Sequence, residues 1–280
     1  MRETRRGLAF WALASFFGLF VLFLYGPTIT IMILSFQGED GGLTFPMNGF
    51  SLHWFGRLFQ QQAVGDFGGS LSRSLLLGLI VTILTVTISL SAGLAFRRRF
   101  FGSTPLFYLA IASLIVPSIL VSLGIGLMFN VLGIEPAWNT SALGAHLTWT
   151  LPFGLLIMFA VFNRFNKAFE EAARDQGASP WQTLRHVTVP ILLPSLIGVG
   201  LFGFTLSYDE FARSLMTTGS YNTLPLEIYG MTTSVTTPVL YALGTVTTLL
   251  SIVVITAALY GVVYVQRRRA GKGSDAGRGV

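Results

Sequence analysis

Apolar residues along this chain come in long blocks parted by short polar gaps. They neither alternate nor recur at helical spacing within a polar background. A helix needs about 20 apolar residues to cross a bilayer. Six blocks reach that length: 8–36, 75–96, 105–132, 142–162, a stretch from 191 that stays uncharged until Asp209, and 238–265. This pattern predicts an all-α polytopic membrane protein with six transmembrane helices. The first block follows the basic residues 1–6 and looks at first like a signal peptide. It is about twice as long as the 7–15 residues of a signal h-region, so we read it as a retained first helix.

Inside the blocks, Thr85, Ser89 and Gly93 recur every fourth residue. That is a small-residue stripe for close helix contact. Pro117 and Pro152 predict kinks in the third and fourth helices, tolerated where neighbours satisfy the freed backbone.

Composition sharpens this picture. Of 280 residues, 52% are hydrophobic and 11% charged, none is Cys, and the mean hydropathy is +0.67. A soluble domain carries about 25% charged residues. A soluble enzyme, a disordered chain and a disulfide scaffold are thereby excluded. The net charge is nevertheless +6. Lys and Arg favour the cytoplasmic side. With both termini inside, 15 of the 18 basic residues share that side, and Arg57, Arg73 and Arg213 remain outside. Seven acids sit outside against those three bases, net −4; five sit inside against fifteen, net +10. The basic pI therefore records orientation and carries no nucleic-acid signal.

Several patterns are decoys. Gly198, Gly200 and Gly203 match GxGxxG, but that fingerprint needs a preceding strand and an acid about 20 residues on. Here it lies within an apolar helix and reads as a packing face. No Walker A loop is present. His53, His146 and His186 fall in different layers and cannot share a metal. We read His146 as an interior hydrogen-bonded group and His186 as a surface or interface one. No nucleophile–base set is visible, so no cofactor is expected and the chain is not read as an enzyme.

The gap at 163–189 is polar and periodic. Lys167 to Gln176 reads as a short helix, with Gly177 at its C′ position. Ser179, Pro180 and Gln182 read as N-cap, N1 and capping-box partner of a second helix. Helix, glycine turn and helix make an elbow. Phe169, Trp181 and Leu184 offer apolar anchors, and Glu170, Glu171, Arg174 and Asp175 a charged rim. The alternative is an amphipathic helix lying on the membrane surface.

The spacing Glu171-Ala172-Ala173, three residues, Gly177, nine residues, Val187-Thr188-Val189-Pro190 resembles the EAA motif of type I ABC importer permeases. That pattern ends in I-x-L-P, so both Val residues depart mildly from it. The resemblance covers the whole chain. Phe204 to Phe211, Thr218-Gly219 and Leu224 to Tyr229 resemble the permease subunits of spermidine/putrescine importers.

The resemblance implies a type I ABC importer transmembrane domain in the bacterial inner membrane. It implies an N-terminal helix and periplasmic loop over 1–70, a core permease over 71–266 and a basic cytoplasmic tail over 267–280. The elbow then becomes the coupling loop, with Phe169, Glu170, Glu171, Ala172, Ala173, Asp175, Gly177, Ala178 and Trp181 at the ATPase contact. Implied partners are a cytoplasmic ABC ATPase dimer that hydrolyses the ATP, a second permease subunit (heterodimer or homodimer), a periplasmic substrate-binding protein and membrane lipid.

Asp209 and Glu210 end an uncharged helix. Carboxylates at membrane depth are costly and commonly functional. One reading places them on the translocation path with Tyr208, Phe211 and Tyr229, meeting a cation through charge and ring faces. Two plainer readings compete: a capping box from Ser207 to Glu210, or an Asp209–Arg213 pair at i+4. The acidic outer face favours a cationic cargo such as a polyamine. Thiamine, iron, sulfate or phosphonate remain alternatives, as does a self-contained secondary carrier.

Overall fold

The computed structural model describes residues 7–60, 65–98, 100–234 and 237–275; side chains of residues 234, 258, 262 and 265–275 are not described. Arg2, Arg5, Arg6, Arg99 and the basic side chains of the tail, which carry much of the charge asymmetry, lie outside the described residues.

Among the described residues there is no strand, only one isolated bridge between Gln37 and Phe50. The helices are α1 (Leu8–Leu34), α2 (His53–Arg57), α3 (Phe67–Phe96), α4 (Ser103–Ala112), α5 (Ser118–Val131), α6 (Ser141–Arg164), α7 (Ala168–Asp175), α8 (Pro180–Thr183), α9 (Val189–Tyr208), α10 (Leu224–Ser234) and α11 (Val239–Asp275). A π-helical turn, Leu184–Thr188, joins α8 to α9. Five helical stretches among the described residues are long and apolar enough to cross a membrane, where six were expected.

The sixth is accounted for by the third apolar block. It is severed, not kinked: α4 stops at Ala112 and α5 starts at Ser118, and neither reaches spanning length. Pro117 brings no N–H and turns the residue before it away from the helical region. It sits at the α5 N-cap position with extended backbone, φ −55° and ψ 130°. Pro152, by contrast, lies within the continuous α6, buried among its neighbours.

The second helix starts at Phe67, eight residues before the apolar block suggests. The extra turns carry Arg73. Its Nε donates to the Asn222 carbonyl at 2.8 Å, and its guanidinium lies 5.5 Å from the Tyr221 ring. A charge with partners of this kind is compatible with an apolar helix.

The chain forms two compact units, residues 1–67 with 230–252 and residues 68–229 with 253–280. In the first, the loop after α1 folds around buried Gln37. Its Nε2 donates to the carbonyls of Gly42 (3.1 Å) and Thr44 (3.4 Å), and its Oε1 accepts from the Asn48 N–H (2.8 Å). Tyr241 ties α11 to this loop through a 2.6 Å bond to the Leu43 carbonyl.

The second unit is built on α3, α6 and α9. The Thr85, Ser89, Gly93 stripe meets α6: Thr85 Oγ1 lies 2.8 Å from Thr150 Oγ1, Gly93 abuts Phe162 and Met158, and Gly154 abuts Ser89 and Thr85. On α9, Gly200 faces Thr82 and Val86, and Gly203 faces Thr85. The GxGxxG decoy is thus largely a packing surface. Lipid supplies no hydrophobic drive between helices, so closeness of this kind holds a membrane bundle together. Met158, Phe162, Leu192, Leu196 and Val199 fill the half of the α6–α9 seam nearer the elbow.

Candidate functional site

The elbow folds as its residues predict. α7 ends in a Schellman turn: Gly177 N–H donates to the Arg174 carbonyl (2.8 Å) and Ala178 N–H to the Ala173 carbonyl (3.1 Å). Gly177 takes φ +82°, open to glycine and disfavoured for other residues. The capping box of α8 is complete. Ser179 Oγ accepts from Gln182 N–H at 3.3 Å, and Gln182 Oε1 accepts from Ser179 N–H at 2.8 Å. Pro190 follows. Its missing N–H leaves the preceding turn one donor short, and there the chain widens into the π-helical turn.

Phe169 and Trp181 are 53% and 66% exposed, large for apolar side chains on a polar elbow. Glu171, Ala172, Asp175 and Gly177 are exposed too, while Ala173 and Ala178 are half-buried. Glu170 differs. It is turned away from the rim, toward the end of α3. Arg97 grips it with two bonds, Nη1 to Oε1 at 2.8 Å and Nη2 to Oε2 at 2.9 Å. Buried Thr188 donates to Oε1 at 2.8 Å. The Arg97 guanidinium in turn lies 5.2 Å from the Phe162 ring and 5.3 Å from the Phe165 ring. Its bonds to Glu170 hold that carboxyl below the ordinary value of 4.5, and the Thr188 hydroxyl adds to the effect. Beside this contact lies a cavity of about 510 Å³, between the elbow and the end of α3.

The segment after α9 does not follow either plain reading. Ser207 bonds to His146 Nδ1 at 2.8 Å, and the helix ends at Tyr208, so Ser207 opens no capping box. Glu210 Oε1 accepts the Arg213 N–H at 2.9 Å. The Arg213 side chain is fully buried and makes no pair with Asp209. Its Nε donates to Ser118 Oγ (3.3 Å), and its Nη atoms donate to Thr148 Oγ1 and to the carbonyls of Ala145 (3.4 Å) and Ser113 (3.5 Å). The Trp149 ring lies 4.8 Å away. Arg213 thus bridges the severed third block, bonding Ser113 before the break and Ser118 after it. His146 is the interior group expected, with Ser214 Oγ 3.0 Å from its Nε2. His186 is exposed, with Nδ1 3.1 Å from the Gln182 carbonyl.

Of the path residues, Asp209 is exposed and Glu210 half-buried. Tyr229 is 55% exposed and pairs with Phe211 at 5.0 Å. Tyr208 is instead buried, stacked on Phe204 at 5.7 Å. Sequence reasoning missed the role of Arg213. The signal in the sequence is a lone base between two apolar segments, which charge counting alone places outside.

Comparison with known proteins fits this architecture. The profile of the family described as "Binding-protein-dependent transport system inner membrane component" matches residues 85–271. The spermidine/putrescine transport system permease protein PotC of Haemophilus influenzae is 30% identical over 234 residues, 83% of this chain and 89% of that protein. The Escherichia coli K12 protein of the same name is 30% identical over 238 residues, 84% of this chain and 88% of that one. Among solved structures, a bacterial ABC transporter involved in the import of alginate superposes with a TM-score of 0.66 at 17% identity, covering 94% of this chain and 99% of that one. The MetNI methionine ABC transporter gives 0.56 at 16% identity, covering 71% and 95%. Apolar helices packed through small residues, a capped polar elbow and a family match across two thirds of the sequence lead to one conclusion. The chain belongs to the binding-protein-dependent transport system inner-membrane components, and it is a permease subunit of an ABC importer.

Proposed function

We propose that residues 163–189 dock this permease onto a separate ABC ATPase dimer, and that the cargo is a small organic cation of the polyamine class. The observation that carries the docking reading is the elbow itself. Two helices, each locked by its own cap, present Phe169 and Trp181 to solvent. Short capped helices move as rigid bodies, and exposed aromatic anchors are typical of protein interfaces. Glu171, Ala172, Asp175 and Gly177 form the open rim between them, and Ala173 and Ala178 its floor. ATP-driven closure of the ATPase pair then shifts the permease between outward- and inward-open states. Such a shift requires the ligands to bind the two states differently.

The assembly includes a second permease subunit and a periplasmic substrate-binding protein. The third block, as α4 and α5 in series, completes six spans, with both termini cytoplasmic. The cargo reading draws on the spermidine/putrescine relatives and on Asp209 and Glu210, which precede Phe211 in the chain; the Phe211 ring pairs with that of Tyr229.

Co-purification tests the docking reading. Ala172→Trp adds bulk on the exposed rim without touching the core, and is expected to release the ATPase subunit. Full retention of the ATPase would overturn the reading. Uptake of labelled putrescine and spermidine by the reconstituted system tests the cargo. Asp209→Asn and Glu210→Gln are each expected to lower uptake, and unchanged uptake in both removes these carboxylates from the path.

A further inference from the structure

We propose that Arg97, Glu170 and Thr188 form a transmission clamp, a single contact through which movement of the elbow reaches three membrane helices at once. The inference rests on the elbow's being the ATPase-docking element. It adds residues whose work is not docking, because Glu170 faces away from the rim.

The geometry is that of a junction. One carboxylate on α7 accepts two bonds from Arg97, the residue just past the end of α3, and one from Thr188, the residue just before α9. The guanidinium lies against Phe162 at the end of α6 and Phe165 just beyond it. Side-chain exposures of 15% for Arg97 and 13% for Glu170 put the pair largely out of water. A bidentate, largely buried pair is more directional and stiffer than a surface ion pair.

About 510 Å³ of space lies between the elbow and the end of α3, and Arg97, Glu170 and Thr188 stand in its wall beside Leu94, Arg98 and Arg174. Close packing therefore does not fix α7 to α3 over that stretch. Force crosses at the points of contact, and the clamp joins α3, α7 and α9 at one carboxylate. The π-helical turn matters here. It ends at Thr188, and it presents that hydroxyl to Glu170.

The chain contains no Cys, so paired labels can be placed without background. Gln176→Cys on the elbow and Ser91→Cys on α3 are both at exposed positions. Electron–electron distance measurements on the full-length protein are expected to give a narrow distribution. Glu170→Gln and Thr188→Val, which keep the shapes, are expected to broaden it. An unchanged distribution in both variants overturns the clamp, whatever the elbow docks to.

In the reconstituted complex the same variants are expected to keep their ATPase subunit and continue to hydrolyse ATP. Cargo moved per ATP is expected to fall about tenfold. The charge-swapped pair Arg97→Glu with Glu170→Arg is expected to recover part of that loss, which a merely structural defect would not permit. Loss of the ATPase from Glu170→Gln would make Glu170 a docking contact and overturn the clamp. Retention of the ATPase by Ala172→Trp would overturn the docking reading alone and leave the distance measurement standing.

Discussion

Gly124 and Gly126 lie on the same helix, α5, and answer differently to the same change. Two residues apart on a helix means about 200° of rotation, so the two face opposite ways. A Cβ built on Gly124 meets nothing within 4 Å. On Gly126 it lands 2.5 Å from the Met216 carbonyl oxygen, which is backbone and cannot rotate aside. Restoring an allowed distance of about 3 Å demands a shift of about 0.5 Å between α5 and the 213–218 segment. That segment is held to α5 by buried Ser122. Its Oγ accepts the Met216 N–H at 2.9 Å and donates to the Arg213 carbonyl at 3.0 Å. Opening by about 0.5 Å takes both bonds to the edge of useful geometry. Their loss costs about 2–3 kcal/mol. Replacing helical Gly by Ala returns about 1 kcal/mol. Gly126→Ala is therefore expected to destabilise by about 1–2 kcal/mol, lowering the Tm by about 2–6 °C. Gly124→Ala is expected to leave the Tm unchanged or raised. Thermal unfolding of the two purified variants in one detergent is the assay. Equal Tm values would refute the steric argument.

Three further outcomes follow from the same contacts. Ser179→Ala removes the side-chain acceptor for Gln182 N–H and is expected to cost about 1 kcal/mol, read as about fivefold faster amide exchange at Gln182 and Thr183. Arg213→Lys keeps a charge but cannot reach acceptors on both sides of the helix break. It is expected to lose at least about 2 kcal/mol in thermal unfolding, little better than Arg213→Gln. Glu170 has its pKa lowered from 4.5. Its stabilising contribution is therefore complete above that value and lost as pH falls through the lower, folded-state one. The Tm gap between the native chain and Glu170→Gln is expected to stay flat from about pH 8 to 5 and to close only in stronger acid.

Block length, charge asymmetry and the elbow's punctuation were all legible in the sequence because each is a local or additive property. Twenty apolar residues in a row have few fates other than a membrane helix. Gly177 and the Ser179–Gln182 pair act within one turn of their own backbone, so their caps form as their spacing predicts. The third block was read as kinked because a proline's local effect is clear while its extent is not. Whether the chain bends or breaks at Pro117 depends on what satisfies the freed backbone groups. Here the Ser113 carbonyl is met by Arg213, 100 residues away, while the Ser113 hydroxyl donates to the Thr148 carbonyl, 35 residues away.

The same distance limit hid the two charges that matter most to the architecture. Arg213 was assigned to the outer surface and Glu170 to the exposed rim, since charge in a polar gap implies water. Their burial is paid for by partners on other helices: Ser118, Ala145, Thr148 and Trp149 for one, Arg97 and Thr188 for the other. The chain's membrane class, its helices and the form of its elbow were thus settled by residues close together in sequence. Which charges turn inward was settled only when helices far apart in sequence came together, because a charge leaves water only where a second chain segment offers donors or acceptors at bonding distance.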